Sequence, residues 1–130
     1  MKALLPPGWP RPKGYANGIS AKGRIVVTAG VVGWNAEELF ESDDLAAQFS
    51  QVLVNTLAIL AEDGAGPEHI VRMTWYVTDM ADYRAGLKEI GAAWRALIGM
   101  HFPAMAVVGV TSLVEPRARI EIETMAVVPD

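Results

Sequence analysis

Residues 117–128 read Arg-Ala-Arg-Ile-Glu-Ile-Glu-Thr-Met-Ala-Val-Val, and this stretch decides the fold. Polar and apolar side chains alternate from Arg119 to Thr124, which is the period of a β-strand with one buried face. A strand of this kind is typical of a sheet that packs against helices on one side and leaves its polar side open.

Two amphipathic helices are predicted upstream of this strand, over residues 43–63 and 81–98. Their apolar residues recur at the spacing of one buried helical face. These residues are Leu45, Phe49, Val52, Leu53, Thr56, Leu57 and Leu60 in the first helix, and Tyr83, Leu87, Ile90, Trp94, Leu97 and Ile98 in the second. The residues expected to cap or end the helices are Ser42 and Gly64 for the first, and Asp79 or Asp82 with Gly99 for the second.

Strands are predicted between the helices because these gaps are rich in β-branched and aromatic residues. The segments are 24–29, 70–77 and 105–110, with a weaker first strand at 15–19. The resulting order, β-β-α-β-α-β-β, predicts an α+β fold in which two helices lie on one face of a mixed sheet. We expect one domain over residues 1–130, in which residues 1–12 form an extended, proline-rich leader.

The composition of the chain favours some classes of partner and argues against others. Apolar residues make up 52% of it, which favours association with further copies of the same chain. The net charge of −4 argues against nucleic acid, and no apolar run is long enough to span a membrane. The chain has no cysteine and only two separated histidines, so no metal site is expected. The short apolar run at the N-terminus does not fit a signal peptide, which favours the cytoplasm.

Six short motifs in this chain resemble the RidA/YjgF family of enamine and imine deaminases. They are Lys13-Gly14-Tyr15, Thr28-Ala29-Gly30, Gln48 with Asn55, Val77 to Tyr83, Phe102-Pro103-Ala104, and Ile120 to Glu123. The resemblance implies a chorismate-mutase-like domain that forms a homotrimer with a central barrel and three clefts, each shared by two subunits. It also implies hydrolysis of a reactive small-molecule imine or enamine without a cofactor or metal, releasing ammonia and a carbonyl compound.

Only some of the family's site residues are present at the matching positions of this sequence. Glu121 matches the glutamate that assists the attacking water, Tyr15 the cleft tyrosine and Gly30 the cleft glycine. A second set departs from the family and is apolar: Met105 stands in place of the arginine that holds a substrate carboxylate, Val31 in place of a common glutamine, and Leu87 in place of an asparagine. These changes predict a substrate that is more apolar or aromatic-derived than a small 2-imino acid.

Several other residues allow both a functional and a structural interpretation. Trp34 could stack on a planar substrate and Asn35 could bind a carboxylate or water, or both could belong to a turn with a half-buried indole at a subunit interface. Glu121 could be an acid/base group, or it could be a structural charge that is either solvated or paired with Arg117 or Arg119.

Four weaker candidates remain. His101 could shuttle protons or bind backbone carbonyls, and Arg72 could replace the missing anchor or form an ion pair. His69 is expected in a turn, and Asn17 is a minor candidate beside Tyr15.

Two functions compete on this sequence. The first is a divergent hydrolytic deaminase, and the alternative is a non-catalytic trimer that binds a small molecule in the same cleft. Ribonuclease activity, which has also been attached to the family, fits poorly with an acidic chain that lacks a basic and aromatic patch.

Overall fold

The computed structural model describes residues 1–130 and contains seven strands and three α-helices. In chain order they are β1 (Lys2–Ala3), β2 (Ile19–Ser20), β3 (Arg24–Val27), β4 (Val31–Val32), α1 (Leu45–Ala61), β5 (Ile70–Val77), α2 (Met80–Ala85), α3 (Leu87–Leu97), β6 (Ala104–Gly109) and β7 (Ile120–Val128). A short 3-10 turn at Pro67–His69 precedes β5. None of the helices has the length and apolar character needed to cross a bilayer.

The main sheet has five strands and is mixed, as predicted. Its order is β3-β7-β5-β6, and β4 pairs with β7 beyond the end of β3. Strands β5 and β6 are parallel and are joined through α2 and α3, whereas every pair that includes β7 is antiparallel. Strand β6 therefore forms one edge of the sheet.

The alternation predicted for the last strand is confirmed. Ile120 and Ile122 are fully buried in the core beneath α1, to which Phe49 contributes. Glu121 is half-buried and Glu123 is exposed on the opposite face. The helices pack on the isoleucine face because burial of that apolar surface stabilises the fold.

Helix α1 begins at Leu45 rather than at residue 43, and its cap is Asp44. The Asp44 Oδ2 accepts a hydrogen bond from the Ala47 amide at 2.9 Å, whereas the Ser42 Oγ accepts from the Asp44 amide at 3.0 Å. The prediction that Ser42 caps this helix is therefore wrong by two residues. A carboxylate at this position also favours the positive end of the helix dipole.

The second predicted helix is two helices, because the chain breaks at Gly86 between α2 and α3. Glycine is a poor helix former, and here its backbone has φ −96° and ψ 9°, outside the helical region. Of the two predicted caps, Asp79 is the one used: its Oδ1 accepts from the Asp82 amide at 3.0 Å. Gly99 follows the end of α3 with a left-handed φ of 92°, as expected for a terminating glycine.

The predicted strand at 15–19 does not join the main sheet as a strand. Ala16 forms a single parallel bridge to Ala104 at the edge of β6, and β2 pairs with β1 in a separate two-stranded sheet. Asn17 and Gly18 interrupt this segment, and both residue types disfavour strands.

No helix covers the second face of the main sheet, which we call the open face. Ile25 and Val27 on β3 are 64% and 60% exposed there, and Met125 on β7 lies beside Val27 in the strand register. Polar side chains share this face, namely Arg72, Thr74, Tyr76, Glu121 and Glu123.

Candidate functional site

A cavity of about 490 Å³ lies between the edge strand β6 and helix α3, and we call it the Met105 cavity. Three of the predicted site residues, Tyr15, Leu87 and Met105, line it together. The remaining lining residues are Lys13, Gly14, Trp75, Tyr83, Ile90, Gly91, Trp94, Arg95, Phe102 and Val107. Its size is within the range of small-molecule sites.

The strand register explains why Met105 faces this cavity. Met105 pairs with the fully buried Met73, so its side chain lies on the helix side of the sheet. Aromatic rings complete the wall: Trp94 stacks on Phe102 with their ring centroids 6.3 Å apart, and Trp75 lies 5.9 Å from Trp94. The cavity is thus suited to a flat, apolar ligand.

The side chains that line the cavity include two cations and no anion. None of its thirteen lining residues carries a carboxylate, and neither Lys13 nor Arg95 forms an ion pair in the protomer. The buried indole N–H of Trp75 has no acceptor. Burial raises the pKa of Tyr83, which keeps its hydroxyl protonated near neutral pH.

Glu121 lies outside this cavity, on the open face beside Gly30. A side-chain carbon on Gly30 would be only 2.5 Å from the Glu121 Oε2, so the carboxylate occupies the space that the glycine leaves free. Neither arginine considered as a partner binds Glu121, since Arg117 pairs with Asp43 at 3.0 Å and Arg119 forms no ion pair. The paired-charge alternative for Glu121 is therefore not what the protomer shows.

A β-bulge places Gly30 opposite this carboxylate. Val27 pairs with Met125 and Val31 pairs with Ile122, so three residues on this side oppose two on β7. Thr28 holds the bulge: its Oγ1 accepts from the Thr124 amide at 3.1 Å and its own amide donates to the Thr124 carbonyl at 2.9 Å. Bulges of this kind redirect side chains next to functional sites.

The neighbours of Glu121 on the open face form a polar cluster. The Tyr76 hydroxyl donates to the Glu123 Oε1 at 2.6 Å, and this hydrogen bond is the main reason why the pKa of Tyr76 is raised. The charge of Glu121 acts in the same direction and that of Arg72 opposes it. Arg72 makes no ion pair and lies on the opposite side of the sheet from Met105. It therefore does not replace the missing anchor in the cavity of its own chain.

Three of the predicted binding residues make contacts with other residues of the same protomer. Val31 is buried in the core, and Trp34 packs on Phe40 with ring centroids 5.8 Å apart. The side-chain oxygen of Asn35 accepts hydrogen bonds from the amides of residues 37 and 39, and its Nδ2 donates to the Glu41 carboxylate at 3.0 Å. The turn interpretation of Asn35 therefore describes its contacts, and the polar-to-apolar change at Val31 is explained by packing.

The two histidines and Asn17 also lie outside the Met105 cavity. The His101 Nε2 donates to the Ile70 carbonyl at 2.6 Å, and the His69 Nδ1 accepts from the Gly66 amide at 2.9 Å. His69 thus stabilises the turn before β5, and His101 links the segment after α3 to the start of β5. Asn17 borders a neighbouring groove formed by the N-terminal segment.

Sequence reasoning did not select Lys13, Gly91 or Arg95 as site residues. The sequence contains one indication: Lys13 stands where the corresponding motif of the RidA/YjgF family has glycine. A second indication is Gly91, which lies in the middle of the predicted second helix and four residues before Arg95. Both signals gain meaning only when the fold brings these residues to one cavity.

The structure is that of a small α+β protein with a cavity at the edge of its sheet. Residues 10–128 match the family model described as Endoribonuclease L-PSP. The chain is 32% identical over 116 residues to a 2-iminobutanoate/2-iminopropanoate deaminase of Escherichia coli K12, covering 87% of this chain and 86% of the relative. It is 30% identical over 136 residues to a RutC family protein of Synechocystis, covering 99% and 98%.

Solved structures agree with these sequence relatives. The Rid family protein YyfB of Yersinia pestis, described as a protein of unknown function, superposes with a TM-score of 0.85 at 33% identity, covering 98% of each chain. The YjgF gene product of Escherichia coli gives a TM-score of 0.71 at 29% identity, also covering 98% of each chain. The chain belongs to the RidA/YjgF family, as its motifs predicted.

Proposed function

We propose that this protein is a cofactor-independent hydrolytic deaminase whose substrate is a reactive imine or enamine, more apolar or aromatic-derived than a small 2-imino acid. The observation that carries the proposal is the convergence of Tyr15, Leu87 and Met105 in one apolar cavity. The relative named as an iminobutanoate deaminase supports the reaction class. The aromatic wall formed by Trp94 and Phe102 supports the substrate class.

The proposed chemistry needs a positioned water molecule and a proton carrier. Water adds to the electrophilic C=N carbon and gives a carbinolamine. Glu121 takes a proton from the attacking water and passes it to the nitrogen, which completes the carbinolamine. A second transfer moves the hydroxyl proton of the carbinolamine to the same nitrogen, so that the C–N bond breaks and ammonia leaves as the carbonyl forms. An enamine enters the same sequence after protonation at carbon. The sum is one water consumed and one ammonia released, with no change of oxidation state.

The Met105 cavity and Glu121 lie on different faces of one protomer, and we propose that they meet between two subunits of a homotrimer with a central barrel. The exposed Ile25, Val27 and Met125 on the open face support this assembly, because a contact between copies would bury them. Trp34 follows the strand that pairs with Glu121, and in the proposed assembly its exposed edge contributes to the same cleft. Residues 1–130 would act as one domain, in the cytoplasm, with a small molecule and further copies of the chain as partners.

Ammonia release from a panel of freshly generated aliphatic and aromatic imines tests the proposal. We expect the wild-type protein to accelerate release, with the highest kcat/KM for aromatic imines. Glu121→Gln should lower kcat by roughly 100-fold, the scale of general acid–base catalysis. Glu123→Gln is the matched control, because it removes a carboxylate from the same strand and face and should retain most of the activity. Equal rates for wild type and Glu121→Gln on every imine would refute the proposed role of Glu121.

Mixed trimers test the shared cleft. Met105→Trp should fill the cavity, while Glu121→Gln removes the proton carrier, so that each variant alone is inactive. Dissociation and reassembly of a mixture should restore activity, since about one cleft in four would combine an intact cavity with an intact glutamate. If both parts of the site came from the same subunit, mixing would restore nothing.

A non-catalytic trimer that binds a small molecule is the second candidate. The observation that favours it is Met105 itself, which cannot hold a substrate carboxylate as an arginine does. Thermal stabilisation by an aromatic ligand, without ammonia release from any imine, would select this alternative. The net charge of −4 gives no support to ribonuclease activity.

A further inference from the structure

The Met105 cavity combines an aromatic wall with positive charge, and no acidic residue lines it. In a chain with a net charge of −4, two cations without acidic partners at one cavity are a local reversal of charge. Lys13 comes from the N-terminal segment and Arg95 from α3, so the two approach the cavity from different elements. Such an arrangement attracts an anion and disfavours a cation.

A glycine in helix α3 leaves space for the side chain of Arg95. Gly91 lines the cavity one helical turn before Arg95, and a side-chain carbon on Gly91 would lie 3.3 Å from the Arg95 Nη1. The guanidinium therefore lies back along the helix over the glycine, towards the cavity. A glycine in the middle of a helix lowers helix stability, and here it leaves space at the cavity wall.

One further donor, on a residue that lines the cavity, lacks an acceptor in the protomer. The Trp75 indole N–H is buried without a hydrogen-bond partner, although Trp75 is only 4% exposed. Buried donors of this kind are normally paired, so this N–H is an unpaired donor on a residue of the cavity wall.

We propose that the Met105 cavity binds an aromatic carboxylate, and that Lys13 and Arg95 hold its carboxylate in place of the arginine that Met105 has displaced. The aromatic ring lies against Trp94 and Phe102, with Met105 as an adaptable wall. Arg95 supplies a planar donor pair that matches a carboxylate, and Lys13 adds a mobile point charge. This inference rests on the proposed deaminase function for its meaning, since it names the substrate as an aryl-substituted imino acid.

Binding of unreactive compounds tests the inference separately from catalysis. Calorimetric titration of the wild-type protein with 3-phenylpropanoate, 3-phenylpropanamide and butanoate should show the tightest binding for the aromatic carboxylate. Lys13→Ala combined with Arg95→Ala should weaken 3-phenylpropanoate binding by roughly 10- to 100-fold, the scale for charged hydrogen bonds. The matched control removes two cations outside the cavity, through Arg84→Ala with Lys88→Ala, and should bind as the wild type does.

In the variant Gly91→Ala, the thermal stability and the affinity for 3-phenylpropanoate should change in opposite directions. The added methyl group would lie 3.3 Å from the Arg95 Nη1, so the guanidinium must shift by a few tenths of an ångström, and binding of 3-phenylpropanoate should fall by up to several-fold. The unfolding midpoint should rise by roughly 2–6 °C, because alanine is the better helix former. A fold defect would lower both quantities.

The outcomes separate the two proposals. Equal binding of the amide and the carboxylate, or equal loss in the cavity and control double variants, overturns the inference, and ammonia release from imines would still support the deaminase. Strong, cation-dependent binding of the aromatic carboxylate without turnover of any imine supports the inference and overturns the deaminase.

Discussion

The two faces of the central sheet carry different halves of the proposed chemistry. The helix face ends at the Met105 cavity, which is aromatic and has cations but no carboxylate. The open face carries Glu121 and Glu123, with the carboxylate of Glu121 directly over Gly30. A binding surface and a proton carrier are therefore separated by the thickness of the sheet within one chain. Self-association is the simplest way in which this fold can unite them.

The largest expected effect follows from neighbouring positions on β7 that face opposite ways. Ile122→Ala removes a fully buried side chain from the helix face and should lower the free energy of unfolding by about 2–5 kcal/mol. Met125→Ala, on the open face, should leave the isolated protomer nearly unchanged and weaken self-association instead. Chemical denaturation and sedimentation of both variants check this contrast, and a large protomer destabilisation by Met125→Ala would contradict it.

A second prediction concerns the bulge. The new methyl group in Gly30→Ala would meet the Glu121 carboxylate at 2.5 Å, and the flexible side chain should swing away. We expect ammonia release to fall by roughly tenfold or more because the proton carrier is misplaced, while stability changes by less than about 1 kcal/mol. Gly18→Ala, in the N-terminal segment, is a suitable control, and full activity of Gly30→Ala would separate Glu121 from the chemistry.

The smallest expected effect lies at alkaline pH on the open face. The hydrogen bond to Glu123 raises the pKa of Tyr76 in the folded state, whereas the unfolded chain keeps the ordinary value of about 10. The folded state therefore holds this proton more tightly. Its stabilising contribution is complete below pH 10 and is lost as the pH rises through the raised folded value.

Tyr76→Phe should remove this contribution, so its stability should fall less steeply than that of the wild type above about pH 10. Urea denaturation at a series of alkaline pH values measures the difference. If the free energy of unfolding of the two proteins falls equally steeply with pH, Tyr76 does not determine the stability at alkaline pH. Tyr83, whose pKa is raised by burial on the other face, contributes equally to both curves.

Patterns with a local cause were predicted correctly from the sequence. These patterns are the alternation around Ile120 and Ile122, the helical stripe through Phe49 and Leu53, and the capping of α2 by one of two aspartates, Asp79 or Asp82. Each depends on near neighbours in the chain, and the structure shows that Asp79 is the cap. The errors were also local in origin. Ser42 was chosen over Asp44 because both residue types cap helices, and the break at Gly86 was overlooked because the apolar stripe continues across it.

The candidate site was predicted in part. The motifs gave Tyr15, Leu87 and Met105, which the fold brings to one cavity, and Glu121 with Gly30, which it brings together elsewhere. Asn35 was predicted as a binding residue because it follows a strand, and Val31 because it replaces a glutamine common in the family. In the structure, Asn35 belongs to a hydrogen-bonded loop and Val31 is buried in the core. Chain position does not reveal whether a side chain is already satisfied by its own protein.

By itself, the sequence determined the family, the order of helices and strands, and the loss of the usual carboxylate anchor at Met105, because these depend on residue types and their spacing. Only the tertiary structure shows that two cations, Lys13 and Arg95, line the same cavity as Met105. Lys13 and Arg95 are separated by most of the chain. They share one cavity because the N-terminal segment bridges to the edge strand β6 at Ala104, and the cavity extends from this edge to α3. Long-range packing sets such a pairing, and no local pattern encodes it.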